Sequence, residues 1–274
     1  MSLKVLIDTD AKNEIDDQYA IAYAVLSGAF DIRGFTAAHF ARSGSMEASF
    51  EEIRLVLRLL GREGRYPVLR GAGHALPERS TPVDSPAARF IIEEALMNTG
   101  GPLYVVCIGA ITNLASAYLM EPDIKKNIKA LWLAGKNWPE GRFCFNDEND
   151  ILAAQIIFDS DIDLTLVPVC GPACRLKIYY HDKRRIKGKG EIGDYLWKLF
   201  MMRRLGFPKP VYDVAAIAVL KSPEWCTRET APRPVFLKNG RYDHAHARGL
   251  VSVVTGINAE KIREDFFRLM DSLG

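Results

Sequence analysis

Short apolar runs alternate with helix-patterned stretches over the first 170 residues, and this alternation most narrows what the chain can fold into. Val5-Leu6-Ile7 reads as a buried strand ending at Asp8. Tyr19, Ala22, Tyr23 and Leu26 then recur at i, i+3, i+4 and i+7, predicting a helix from near Asp17 to Gly28. Residues 32–38 read as a second strand, and Phe50, Ile53, Leu57 and Leu60 mark one face of a helix stopped by Gly61. A brief strand at 67–69 follows, and Ser85-Pro86 supplies an N-cap and first-turn pair for a helix through Met97. Strands at 103–108, 130–133 and 164–169 then alternate with helices opening at Thr112-Asn113 and spanning 151–158. Beyond Cys170 the pattern loosens: helices around 195–202, 213–220 and 259–270, and late strands at 235–237 and 250–254. Repeated strand–helix units predict an α/β fold with a mostly parallel central sheet flanked by helices. No Ser/Gly-rich linker, repeat or low-complexity stretch interrupts it, so one domain over residues 1–274 is expected.

Composition removes several classes. With 36 Lys plus Arg against 34 Asp plus Glu, the net charge of +2 lacks the field expected of a nucleic-acid binder. A 48% hydrophobic share excludes disorder. No apolar run has the length of a membrane helix, and Met1-Ser2-Leu3-Lys4 runs directly into a strand with no signal peptide. The odd set Cys107, Cys144, Cys170, Cys174 and Cys226, without CxxC spacing, reads as thiols in a reducing compartment. A soluble, cytoplasmic protein is the expectation.

One feature departs from this even balance. Asp8, Asp10, Glu14, Asp16 and Asp17 crowd into the first 17 residues, after the first strand and at the start of the first helix. Crowded carboxylates raise each other's pKa unless donors or a cation compensate. A helix N-terminus contributes only about 0.3–1 kcal/mol per carboxylate, whereas a hard divalent cation contributes more. On spacing alone, helix capping by Asp16 and Asp17 and cation binding both fit. Ligands of parallel sheets sit at the carboxyl ends of the strands, which adds three later segments. These are Gly109-Ala110-Ile111-Thr112-Asn113, Phe145 to Asp150, and Pro210-Val211-Tyr212-Asp213.

Together these segments resemble the nucleoside hydrolase family of inosine-uridine preferring type, as a divergent member. Asp8-Thr9-Asp10 with Asp16-Asp17 resembles its DxDxxxDD signature, and Gly109 to Asn113 its GxxTN turn. Phe145, Asn146, Asp150, Ala153 and Ala154 match an FN…D…AA segment, and Asp213 an acid opening a late helix. The four matches keep family order across most of the chain. The resemblance implies a Rossmann-like sheet and a Ca²⁺ held by Asp10, Asp17, the main-chain carbonyl of Ile108, and Asp213. It also implies Asp10 as general base and Asp16 and Asn146 as ribose contacts, with Asn137 reaching the ribose from the preceding loop. The implied activity is hydrolysis of the N-glycosidic bond of a ribonucleoside or related riboside, in a homodimer or homotetramer. Such a reaction passes through an oxocarbenium-like ribosyl cation, which an acidic site favours.

The chain departs from that pattern on the side of the base. Five residues separate Asp10 from Asp16 where the signature has three. Asn13 and Glu14 of this longer loop either point at the ligand or bulge outward, and the bulge is expected because a polar loop residue needs no special role. Tyr212 stands where inosine–uridine members carry a leaving-group histidine, and Cys144 where many carry Glu. A phenol is a poor acid at neutral pH, but it stacks on a base or donates a hydrogen bond. Trp138 either covers the base or packs in the core, and His39 either meets substrate or is a plain loop histidine. His244 and His246 lack a complete metal-ligand set, and the basic run from Lys183 to Lys189 reads as a solvated loop. Two other functions stay open here. One is a riboside- or sugar-binding protein without turnover, which Tyr212 and Cys144 favour. The other is a Mg²⁺-dependent phosphatase suggested by Asp8-Thr9-Asp10, against which Lys12 counts.

Overall fold

The computed structural model describes residues 2–97, 100–202 and 208–273. The strand–helix units appear as read: β1 (Leu3–Thr9), α1 (Asp16–Ser27), β2 (Phe30–Ala37), α2 (Ser45–Leu59), β3 (Val68–Arg70), α3 (Pro86–Leu96), β4 (Leu103–Cys107), α4 (Thr112–Met120) and β5 (Ile128–Leu133). They continue with a one-turn α5 (Phe145–Glu148), then α6 (Ile151–Asp159) and β6 (Asp163–Val167). The later chain adds β7 (Lys177–Ile178), α7 (Lys183–Ile186), α8 (Gly190–Met202), β8 (Lys209–Pro210), α9 (Tyr212–Lys221), β9 (Cys226–Pro232), β10 (Val235–Phe236), β11 (Tyr242–Asp243), β12 (Leu250–Ile257) and α10 (Ala259–Asp271).

Eight strands form one sheet in the order β3-β2-β1-β4-β5-β6-β12-β9, parallel throughout except for β9, which runs antiparallel to β12. Successive side chains leave opposite faces of a strand. Accordingly Val5 and Ile7 join the core under α1, α8, α9 and α10, while Leu6 joins the opposite core under α3, α4 and α6. Local chemistry fixes the helix ends. Gly28 takes the left-handed conformation that stops α1 (φ 60°), and Ser85 accepts the Ala88 N–H at the start of α3. Asp150 and Asn258 cap α6 and α10 in the same way.

β9 has no counterpart among the strands read from the sequence. It is the exposed edge of the sheet, and Cys-Thr-Arg-Glu-Thr-Ala-Pro lacks the apolar alternation that a half-buried strand shows. α2 begins five residues before Phe50, the first of the markers read from spacing, because Met46 is the only large apolar residue in its opening stretch Ser45 to Ser49.

The strand order reverses between β1 and β4: from β1 the chain proceeds outward to β2 and β3, then crosses back to β4 on the other side. Such a switch point opens a crevice at the carboxyl ends of the strands. Asn113, at the start of α4, closes the floor beneath it. Its side chain donates to Asp8 Oδ1 (2.7 Å) and the Ala37 carbonyl (3.1 Å), and accepts the Ala72 N–H (2.8 Å). This packing needs a glycine at 71, where a Cβ would lie 2.1 Å from the Ala37 carbonyl and 2.4 Å from Asn113 Nδ2. Gly71→Ala is therefore expected to destabilise the fold by about 2–4 kcal/mol through overpacking and lost hydrogen bonds. Urea unfolding checks this; an unchanged midpoint would show that Asn113 is not held as described.

Candidate active site

Two helix N-termini and two strand ends meet at the switch point. Asp10 follows β1, Asp16 and Asp17 form the first turn of α1, and Asp213 lies in the first turn of α9. Ile108 follows β4, and Asn146 lies on α5 just beyond β5. Gly109 lets the β1–α1 loop come this close: a Cβ there would sit 3.0 Å from the Asp10 backbone nitrogen and carboxyl group. The result is a cavity of about 280 Å³ lined by Asp10, Asp16, Asp17 and Asp213 at its floor. Ile108, Asn146 and Tyr212 also line it.

The four floor carboxyls are buried, and all are held above the ordinary carboxylate range. Burial is the largest cause for each. Asp17 is pushed up to about 8, with Asp16 beside it adding to the effect while the Thr9 hydroxyl donates to Asp17 Oδ1 at 2.5 Å. Asp16 is pushed up to about 6; the nearby Lys209 charge and the Tyr212 backbone N–H offset part of the burial cost. Asp10 and Asp213 are raised well above the ordinary range, by burial first and then by the other acids around each. Anions at two helix N-termini gain from the backbone dipoles, but that gain is small beside the repulsion.

A hard cation fits this arrangement. Carboxylate oxygens of Asp16, Asp17 and Asp213 lie within 4.8 Å of one another. Ligands at the 2.3–2.6 Å typical of Ca²⁺ stand at most about 5 Å apart. Asp10 is 1% exposed, and its Oδ2 is buried without a hydrogen-bond partner among the described residues. The oxygen-only donor set suits Ca²⁺ or Mg²⁺ rather than a softer metal. The clustered triad thus contains Asp16, which the sequence assigned to ribose, alongside Asp17 and Asp213. Asp10 and Ile108 border the same space.

The remaining sequence candidates divide. Asn146 donates through Nδ2 to the carbonyls of Ile108 (3.0 Å) and Leu133 (2.9 Å), so what it offers a ligand is its Oδ1 acceptor. Asn137 and Trp138 do not line the acidic cavity. The Trp138 ring packs on Tyr242 and His244, with centroids 5.6 and 5.4 Å away, and its indole N–H donates to Glu229 of the edge strand. His39 lines a neighbouring cleft with Arg42 and His74. Its Nε2 lies 2.9 Å from Thr112 Oγ1, and that hydroxyl donates to Asp150. Asp8 is wholly buried and does not line the cavity; its Oδ1 accepts from the Thr36 hydroxyl and the Asn113 amide.

The longer β1–α1 loop corrects the outward bulge expected from sequence. Its Lys12 is the anchored residue, paired at 2.5 Å with Glu52, which also accepts from Gln18 and Tyr195. Asn13 and Glu14 turn toward the cavity and line it, and Glu14 pairs with Lys209. Lys209, Phe145 and Cys144 are lining residues that sequence reasoning did not assign to a ligand. Only the position of Lys209, three residues before Tyr212, hinted at its place.

The chain belongs to the inosine-uridine preferring nucleoside hydrolase family, whose model matches residues 5–264. It is 26% identical over 262 residues to the pyrimidine-specific ribonucleoside hydrolase RihA of Citrobacter koseri, covering 83% of this chain and 82% of that one. It is 27% identical over 259 residues to the non-specific ribonucleoside hydrolase RihC of Salmonella newport, with 84% and 82% covered. Its fold matches that of a purine-preferring ribonucleoside hydrolase from Gardnerella vaginalis with a TM-score of 0.79 at 21% identity, over 98% of both chains. No helix among the described residues is long and apolar enough to cross a membrane.

Two outcomes test the electrostatics. Burial and the neighbouring acids oppose ionisation of Asp213, a penalty that Asn does not carry, so Asp213→Asn is expected to raise cation-free stability at pH 8 by about 1–2 kcal/mol. The same change should abolish the thermal shift that Ca²⁺ gives the native chain. Thermal melts in chelator and in Ca²⁺ read both; a native chain indifferent to divalent cations would contradict the site. The second outcome concerns Asp147, which binds Asn146's turn to the Gly135 loop by accepting from Gly135 N–H and Cys144 N–H. Burial pushes Asp147 up to about 7. A carboxyl raised in the fold keeps a proton that the unfolded chain releases, so its contribution to stability falls from about pH 4 to pH 7 and is flat above. Asp147→Asn should flatten the stability–pH curve across that window relative to native protein; parallel curves would refute it.

Proposed function

We propose that the chain hydrolyses the N-glycosidic bond of a ribonucleoside at the acidic cavity, in a Ca²⁺-dependent reaction. The observation that carries this reading is the convergence of four buried carboxyls, one with an unpartnered oxygen, at the switch point of a family member's sheet. Bound Ca²⁺ would supply a fixed positive charge that orients water and the ribose hydroxyls and makes that water more acidic. We assign Asp10, Asp17, Asp213, Asp16 and the Ile108 carbonyl to hold it, a reading supported by the clustering of Asp16, Asp17 and Asp213 and by the other two lining the same cavity.

The chain's own groups do the rest. Asp10 accepts the proton of the attacking water. Asp16 and Asn146 Oδ1 accept from ribose hydroxyls, fixing the anomeric carbon against that water. The floor's negative field favours the ribosyl cation more in the transition state than in the ground state. Tyr212 is pushed up to about 12 by burial and the Asp16 charge, so it stays a neutral phenol beside the base. A cavity of about 280 Å³ suits a ligand of nucleoside size. The relatives are described as pyrimidine-specific, non-specific and purine-preferring, so the substrate is named here only as a ribonucleoside. We also propose a cytoplasmic homo-oligomer, dimer or tetramer, on family grounds.

Tyr212 at the position before Asp213 favours a second reading, a riboside-binding protein without turnover. Reducing-sugar release from a panel of purine, pyrimidine and nicotinamide ribosides with Ca²⁺ separates the two. Turnover is expected, with Asp10→Asn lowering kcat by about 10²–10⁴-fold. Ribose-dependent binding without sugar release would establish the second reading instead.

A further inference from the structure

Depth divides the cavity. The floor acids are nearly sealed, while Lys209 and Glu14 have side chains 18% and 37% exposed, placing them at the mouth. A ribonucleoside with its sugar on the floor therefore presents its base to Lys209, Glu14, Asn13, Phe145 and Tyr212. Lys209 is the only cationic side chain among the described residues that line the cavity. Its backbone is fixed in β8, paired with Ile178 of β7, while its side chain crosses to Glu14, and Nζ lies 5.8 Å from the Tyr212 ring centroid. Glu14 sits on the loop that is two residues longer than the family signature and is anchored through Lys12 and Glu52.

We propose that Lys209 receives the departing base, its ammonium group hydrogen-bonding the leaving nitrogen or a conjugated oxygen, with Glu14 as its positioning residue. This rests on the reading that the cavity cleaves ribonucleosides. In the step, the C1′–N bond breaks with both electrons going to the base nitrogen. The water oxygen bonds to C1′, and its proton passes to Asp10. The base leaves as an anion paired with Lys209 and takes a proton from solvent on release. The neutral Tyr212 phenol lines the base's other side without giving up its proton. A cation at the mouth of an otherwise negative pocket is worth most when charge builds on the leaving group, which is a transition-state interaction.

The test compares ribonucleosides with 4-nitrophenyl β-D-ribofuranoside, whose nitrophenolate departs unaided. In Lys209→Met, kcat/KM for the best nucleoside is expected to fall about 100-fold, and for the nitrophenyl riboside by less than about fivefold. Lys209→Arg should recover most of the nucleoside rate, and Glu14→Gln should fall between. An intact Ca²⁺ thermal shift certifies that each variant is folded. Equal losses on both substrates, or no loss on nucleosides, would overturn the assignment of Lys209 while leaving N-ribosyl hydrolysis standing. A native protein that cleaves neither substrate would overturn the hydrolase reading itself.

Discussion

Mutual repulsion among Asp10, Asp16, Asp17 and Asp213 is the constraint on which the rest of the molecule depends. Two such charges 4–5 Å apart cost on the order of 3–4 kcal/mol at the effective dielectric of a protein site, comparable to much of a domain's net stability. The fold holds them together with rigid elements. Four are fixed by β1, α1 and α9, whose buried faces fill the core on one side of the sheet. Small polar gains reduce the cost: the Thr9 hydroxyl on Asp17, the Tyr212 N–H and Lys209 charge near Asp16, and two helix N-termini. None matches a divalent cation among oxygen ligands, and among the four floor acids Asp10 Oδ2 is buried without a hydrogen-bond partner among the described residues.

That constraint separates what the family signature builds from what this chain adds. The floor comes from signature residues, with Gly109 permitting close approach and Asn113 tying Asp8 to the end of β3. The mouth comes from the lengthened loop and β8. Lys12 ties the loop to Glu52 on α2, while Glu14 lines the cavity and pairs with Lys209. The added residues therefore form part of the cavity wall above the acids.

Most of the fold was legible because it rests on short-range periodicity. Tyr19 to Leu26 and Phe50 to Leu60 report their buried faces by spacing alone, and Gly28 and Ser85 mark ends through backbone chemistry. β9 was not legible, since its register comes from β12 and its polar side chains carry no alternation. In the site, the acids after β1 were conspicuous as a local excess of charge. The inward turn of Glu14 was not, because it is set by Lys209, 195 residues away. Trp138 and His39 both follow strand ends, and the contacts they make there, Trp138 with Tyr242 and His244 and His39 with Thr112, come from distant parts of the chain that local spacing does not report.

Asp16 joins the two halves of the site. It opens α1 within the clustered triad, yet its carboxylate also accepts the Tyr212 N–H that opens α9 and lies in the field of Lys209 and Glu14. Neutralising Asp16 would remove a floor charge, a tether between two helices and a partner for the mouth's cation at once. Its substitution thus reports a sum of effects that Asp10, Asp213 and Lys209 report separately, because each of those belongs to one end of the cavity. The signature's adjacent acids, Asp16 and Asp17, are accordingly unequal. Asp17 is tied to the strand through Thr9, whereas Asp16 links the floor to the mouth through the Tyr212 N–H and the charges of Lys209 and Glu14.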